Sequence, residues 1–307
     1  SPLSLSLRLN GNSEYVAKAG EILNYTLSYI NGTEVSLRNV SIKANLSGEM
    51  FDLSTISGQG VLRQGENILI WNSSGISSLE MISPGNAGAV SFSVKVRNNF
   101  SVKRFSDKNY SLLINAEITS PTTLPSTSAS LLTKSRLETK VAGVIGVDAK
   151  AYFRDAESGY LNQGIFPPKA GQPTQFTIHW ILRSTAADVS GVEVRSILGN
   201  NVRMIGEARS NSGSAPSYNS ETNEVFWQVD KLQANQGVIG SPIEAVFQIE
   251  AAPNASNVGA YMPLINATTI RATDAFTGQE LLGNDVGITT ALPDDATVGG
   301  QGGVVQP

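Results

Sequence analysis

The sequence predicts an all-β chain made of two tandem antiparallel β-sandwiches of about 140 residues each. Three observations carry that expectation. Short apolar runs alternate with a period of two. Turn-forming residues fill the gaps between the runs. Landmarks of the first half recur in order in the second.

Leu3, Leu5, Leu7 and Leu9 alternate with Ser4, Ser6 and Arg8, the pattern of a half-buried strand. Tyr25, Leu27 and Tyr29 then alternate with Asn24, Thr26 and Ser28, and Val40, Ile42 and Ala44 with Ser41, Lys43 and Asn45. Ile68 and Ile70, then Val90, Phe92, Val94 and Val96, continue the pattern. Asn31-Gly32, Ser47-Gly48, Ser57-Gly58 and Ser83-Pro84-Gly85 supply turns. The best helical candidate, Leu131–Ala142, contains Thr133, Thr139 and Val141 and reads better as a strand or linker.

In the second half, Ala170-Gly171 before Phe176-Thr177-Ile178 matches Ala19-Gly20 before Tyr25-Thr26-Leu27. Val192, Val194 and Leu198 match Val40, Ile42 and Leu46; Asn223 through Trp227 match Asn67 through Trp71; and Phe247 is set against Phe92. Leu113-Ile114-Asn115-Ala116 recurs letter for letter as Leu264-Ile265-Asn266-Ala267. The expected division is 1–141, 142–293 and a flexible Gly-rich tail, 294–307. The joint, Val141 to Gly146, is apolar and uncharged. It reads as one strand running into the next domain rather than a polar linker.

Composition narrows the chemistry. Charged residues are 16%, against about 25% in ordinary soluble domains. There is no cysteine and one histidine, which excludes disulfides, thiolate catalysis, Cys-based zinc sites and sites needing two histidines of one chain. No apolar run reaches about 18 residues and no signal-peptide pattern occurs, so no segment of this chain is expected to span a membrane. Residues 1–143 carry 13 Lys/Arg against 10 Asp/Glu, net +3, and residues 144–307 carry 9 against 16, net −7. Neither half has a basic stripe with interleaved aromatics, so nucleic acid is not an expected partner. The sign difference suits head-to-tail docking of domains or molecules.

Candidate residues follow from type and placement. Trp71, Trp180 and Trp227 close apolar runs and are expected as core plugs. His179, between Ile178 and Trp180, should point to the opposite face from them and lie exposed on the sheet surface. Asp148, Asp155, Glu157, Asp274, Asp285, Asp294 and Asp295 gather in the second repeat, where calcium could bind at the joint, although no Asp-x-Asp-x-Asp-Gly loop occurs. No carboxylate pair is singled out for glycoside hydrolysis, and the chain is not expected to be an enzyme. Lys150 with Asn266, and Lys43 with Asn115, are candidates for an inter-strand Lys–Asn amide bond, each Lys lying opposite the apolar face of its strand. Tyr152, Tyr160, Phe166 and Tyr218 are candidates for a carbohydrate-stacking surface. Asn-x-Ser/Thr occurs at Asn24, Asn31, Asn39, Asn45, Asn72, Asn99, Asn109, Asn254 and Asn266.

The run Ala19-Gly20-Glu21-Ile22-Leu23-Asn24-Tyr25-Thr26-Leu27-Ser28-Tyr29-Ile30-Asn31-Gly32-Thr33, followed by Leu37-Arg38-Asn39-Val40-Ser41-Ile42, resembles the conserved-repeat, immunoglobulin-like domains of bacterial and archaeal surface proteins. The second half keeps Gly171, Phe176-Thr177-Ile178, Val192 and Val194, and has Ser184-Thr185-Ala186 where the pattern has Asn-Gly. Ala151–Pro168 and Ala272–Gly278 are similar to large membrane-anchored surface proteins of candidate-phylum bacteria, of which this pair would be a C-terminal part. The resemblance implies immunoglobulin-like sandwiches and an extracellular, cell-surface location. It also implies a stalk, an adhesin segment, or a surface-layer or filament subunit, with other surface domains, copies of itself or glycans as partners. A carbohydrate-binding module is the alternative.

Overall fold

A computed structural model of the chain describes residues 2–124, 127–299 and 302–307. It divides into two units, Ser1–Ser101 with Asn109–Ala142, and Val102–Lys108 with Gly143–Pro307. Both are all-β. Ser77–Leu79 and Ala255–Asn257 are single 3-10 turns, and no longer helix occurs among the described residues.

In the first unit the alternating runs become strands that bury one face. They are β1 (Leu3–Leu9), β2 (Val16–Ala17), β3 (Ile22–Asn31), β4 (Leu37–Arg38), β5 (Ser41–Ser47), β6 (Phe51–Gly58), β7 (Val61–Arg63), β8 (Ile68–Trp71), β9 (Met81–Ile82), β10 (Ala87–Val96), β11 (Ser111–Leu124) and β12 (Thr127–Val141). One sheet has the order β1-β3-β10-β6 and the other β2-β12-β11-β5-β8-β7, while β4 and β9 form a small pair. Among the described residues of this unit, only the β2–β12 pairing is parallel. Leu3, Leu23, Leu27, Ile42, Leu69, Val94, Leu112, Ile114 and Ile118 share one core and are fully buried.

The second unit holds β13 (Val144–Tyr152), β14 (Thr174–Thr185), β15 (Val189–Ile197), β16 (Val202–Ser210), β17 (Ser217–Asn219), β18 (Glu224–Leu232), β19 (Ile243–Ala251), β20 (Pro263–Ile265), β21 (Thr268–Asp274), β22 (Glu280–Asp285) and β23 (Ile288–Thr289). Its sheets run β13-β14-β19-β16 and β17-β18-β15-β21-β22, with β20 and β23 as a pair. The four-strand order matches β1-β3-β10-β6, and the five-strand order matches β7-β8-β5-β11-β12.

Correspondence extends to single residues. Gly20 and Gly171 both turn the chain at φ +79, a conformation open to glycine. Asn67 and Asn223 are left-handed at φ +55 and +58, and their carbonyls accept from Leu46 and Leu198 at 2.9 Å each. Trp71 pairs with Ile42 as Trp227 pairs with Val194. Ile114 faces Leu46 as Ile265 faces Leu198. One sequence match shifts: Phe92 lies opposite Tyr25, but Phe247 lies opposite Ile178, the counterpart of Leu27. A ring of similar size thus fills the core two residues away. All three tryptophans are buried, but only Trp227 has an Nε1 partner, the Ser214 carbonyl at 3.2 Å; Trp71 and Trp180 have none.

Two segments depart from expectation. Val102–Lys108, expected in the first domain, belongs to the second unit. Fully buried Asn235 explains this: its Nδ2 donates to the carbonyls of Asp107 at 2.8 Å and Arg104 at 3.1 Å, while its Oδ1 accepts from the Ala186 amide at 2.8 Å. Lys108 also pairs with Asp188 at 2.5 Å. Of the expected flexible tail, 294–307, the described residues on either side of 300–301 are docked. The buried Asp295 carboxylate accepts from the Phe153 and Arg154 amides, at 2.9 and 3.0 Å. Beyond it, Val304 bridges Tyr261, Gln306 bridges Lys169, and Val305 is buried. Gly303 permits the approach, because a Cβ there would stand 1.6 Å from the Thr290 carbonyl oxygen. Composition alone, Gly-rich and unpatterned, could not reveal this backbone pairing.

Candidate functional site

The single histidine sits in a bonded side-chain cluster of the second unit. β14 is flanked by β13 and β19, so side chains on its outer face have neighbours on both sides. His179 is only 8% exposed, not surface-exposed as the alternation suggested, because the chain after β13 folds back over this face. Asp155 of that segment lies 2.7 Å from Nε2, and Glu244 of β19 lies 2.5 Å from Nδ1. The Tyr152 ring meets the imidazole edge-on at 5.2 Å. Asn162 secures the same segment through its Nδ2, which donates to the Thr177 hydroxyl at 2.8 Å and to the Phe153 carbonyl at 3.0 Å.

Each ring nitrogen thus has a carboxylate oxygen within hydrogen-bond distance. Burial works against the Asp155 charge, but the His179 and Ser158 hydrogen bonds outweigh it and hold Asp155 below the ordinary carboxylate range. Tyr152 is pushed up to about 12, first by burial and then by Asp294, Asp155, Asp148 and Glu157. A buried imidazole engaged at both nitrogens fastens the segment to the sheet and does not present a free general base. Sequence reasoning placed His179 on the correct strand but missed its partners, which lie 24 and 65 residues away.

The proposed amide pairs fall on outer faces. Lys43 is 47% exposed and 3.7 Å from Glu117, and Asn115 is exposed on the neighbouring strand β11. The structure thus brings Lys43 and Asn115 to one face, without the apolar enclosure that amide formation needs. Lys150 is 30% exposed and 3.6 Å from Asp148, while Asn266 is an exposed residue between β20 and β21. These two belong to different elements and share no interaction.

The four candidate aromatics do not form one platform. Tyr152 is against His179, Phe166 stacks on Phe153 at 4.9 Å, and Tyr160 donates to the Glu207 carbonyl at 2.5 Å beneath the Arg209 guanidinium. Tyr218, on β17, donates to Asn223 at 2.7 Å. The acidic residues are largely turned on backbone donors: Asp274 accepts from Gly143 and Phe276, and Asp285 from Ala149 and Val286. Asp294 is held above the ordinary range, first by burial and then by Asp148 and Asp285, with Lys150 opposing. Among the described residues no group of three or more His, Asp or Glu is placed to hold a metal ion.

Two grooves lie on corresponding outer faces. The first, of about 360 Å³, crosses β5, β11 and β12 and is lined by Lys43, Asn45, Asn115, Glu117, Lys134 and Arg136. The second, of about 330 Å³, crosses β15, β21 and β22 and is lined by Glu193, Arg195, Thr269, Arg271, Leu282 and Asn284.

No protein-family model matches the chain, and no curated protein matches it. Among solved structures it is similar to the C-terminal domain of the Streptococcus pyogenes antigen I/II-family protein AspA, at 9% identity and TM-score 0.38, covering 94% of this chain and 100% of that one. It is also similar to a wild-type BspA C-terminal domain, at 10% identity and TM-score 0.33, covering 90% and 96%. A third is the full-length major pilin SpaD of Corynebacterium diphtheriae, at 10% identity and TM-score 0.30, covering 83% and 59%. Scores this low do not establish a shared fold.

Proposed function

We propose that the chain is a structural or adhesive module of an extracellular cell-surface protein: a stalk, an adhesin segment, or a subunit of a surface layer or filament. The observation that carries this reading is the recurrence of one strand layout in two units, down to the Gly20/Gly171 turn and the Asn67/Asn223 hydrogen bond. β12 ends at Val141 and β13 begins at Val144, so two residues separate the last strand of one unit from the first of the next. Serially repeated sandwiches on so short a connection suit display and spacing better than a single chemical centre. The outer faces, rich in Ser, Thr, Asn and paired charges, suit contact with water, glycans or neighbouring protein. Other surface domains or further copies are the natural protein partners, through the outer strands of the sheets.

The test removes residues 1–307 from the producing cell and compares attachment and surface morphology with the parent. Loss of attachment or of an ordered surface structure supports the proposal. A cell unchanged in both refutes it.

A further inference from the structure

The corresponding grooves of the two units differ in how their charges are balanced. In the second unit a ladder runs across the strands: Arg271 Nε donates to Glu193 at 2.6 Å, Arg195 lies 3.8 Å from Glu193, and Arg195 Nη1 donates to Glu224 at 3.0 Å. Arg195 also covers the Phe226 ring at 4.3 Å. Every cation of that groove has a carboxylate partner on the same face.

In the first unit the register sets Lys134, Glu117 and Lys43 side by side on β12, β11 and β5, with Arg136, Asn115 and Asn45 in the next row. Adjacent positions in a row are about 5 Å apart. Only Glu117 offsets three cations within the groove, and its contact to Lys43 is a loose 3.7 Å. Arg136 reaches Glu138 outside the groove at 3.4 Å, with both side chains more than half exposed. Lys134 has no ion-pair partner among the described residues.

From this arrangement we propose that the groove across β5, β11 and β12 binds an acidic polysaccharide, with Lys43, Lys134 and Arg136 meeting its anionic groups and Asn45 and Asn115 its hydroxyls. The cations and carboxamides stand together in an open groove whose lining also includes Ile68, which matches a chain bearing charges, hydroxyl groups and the apolar faces of sugar rings. A protein partner would be anchored by a cluster of large apolar or aromatic residues and a single-stranded nucleic acid by aromatic stacking, whereas the groove is lined by one large apolar residue, Ile68, and no aromatic residue. This inference rests on the adhesive reading and names the ligand class for it.

The test titrates the purified chain by calorimetry with three hexasaccharides: a polyuronate, a sulfated counterpart and a neutral one, each at low and physiological salt. The expected result is binding of an acidic hexamer that weakens with salt, and none of the neutral one. The carboxylated and sulfated arms separate the two sources of the anion. Lys134→Glu with Arg136→Glu should weaken binding at least about tenfold, since two charge-assisted contacts are reversed. Arg271→Glu in the second groove should leave binding unchanged. All three positions are exposed, but each reversal sets a new carboxylate beside Glu117, Glu138 or Glu193, so thermal unfolding is used to choose a temperature at which every variant is folded. Binding that survives the double substitution, equal binding of the neutral hexamer, or no binding of either acidic one overturns the proposal. So does self-association that the double substitution abolishes, which would assign the face to a second copy. A null titration leaves the surface role standing, because attachment and morphology of the producing cell are read separately.

Discussion

Asn235→Ala should strongly destabilise the second unit. Asn235 is fully buried at φ +67, and its carboxamide makes one bond to the Ala186 amide and two good bonds to the 102–108 backbone. Alanine leaves the Ala186 N–H, itself in a buried residue, without a partner, at about 1–3 kcal/mol. The lost carbonyl contacts cost about 0.5–1.5 kcal/mol each. A left-handed alanine, without the local bonding that lets asparagine adopt this conformation, adds about 1 kcal/mol. The expected loss is about 3–7 kcal/mol, and Asn235→Gly should lose about 1 kcal/mol less. Urea unfolding followed by fluorescence in a Trp71→Phe background reports on Trp180 and Trp227 alone. Trypsin should also cut faster after Lys103 and Arg104, because the Arg104 side chain is already 78% exposed and only the backbone is held. An alanine variant within about 1 kcal/mol of the parent, with unchanged cleavage, would refute the reasoning.

Trp71→Phe should cost less stability than Trp227→Phe, because only Trp227 loses an indole hydrogen bond; Trp71→Ala should cost about 3–5 kcal/mol, all read by urea unfolding. Gly303→Ala should undock the last residues, and hydrogen exchange should rise at the Gly259 amide, which donates to the Val305 carbonyl at 2.9 Å. Asp295 is held below the ordinary range: burial opposes its charge, but the Thr297 hydroxyl and the Arg154, Thr297 and Phe153 amides outweigh it. Asp155 is lowered as well, so both contribute stability that is complete above the unfolded value of about 3.9 and lost as pH falls through the folded values. Melting temperatures from pH 7 to 2 should fall on the acid side, less steeply in Asp295→Asn. Asp294 has the opposite sign: its raised value penalises the folded state once it ionises, so Asp294→Asn should raise the melting temperature at pH 7 and leave it unchanged at pH 2.

The fold was legible wherever one face of a strand meets the core. β1 and β3 alternate as their letters do, because a strand covered on one side writes its burial with period two. Asn67 and Asn223 were visible as landmarks because left-handed turns select asparagine. The local sequence around His179 gave its direction but not its cover, since Asp155 and Glu244 reach it only through folding at long range. Val304–Gln306 escaped for a related reason. Their pairing is made by backbone groups, which every residue carries. The amide and aromatic candidates were chosen by residue type, and type alone does not reveal enclosure. Lys43 is nearly half exposed, and Tyr160 lies under Arg209.

Surface display is tested most directly by treating intact producing cells with trypsin and identifying the released peptides by mass spectrometry. Lys134 and Arg136 lie on an outer face, and Lys103 and Arg104 are exposed. Release of peptides ending at these residues from unbroken cells is the predicted result. Peptides from this chain that appear only after lysis would contradict a surface role.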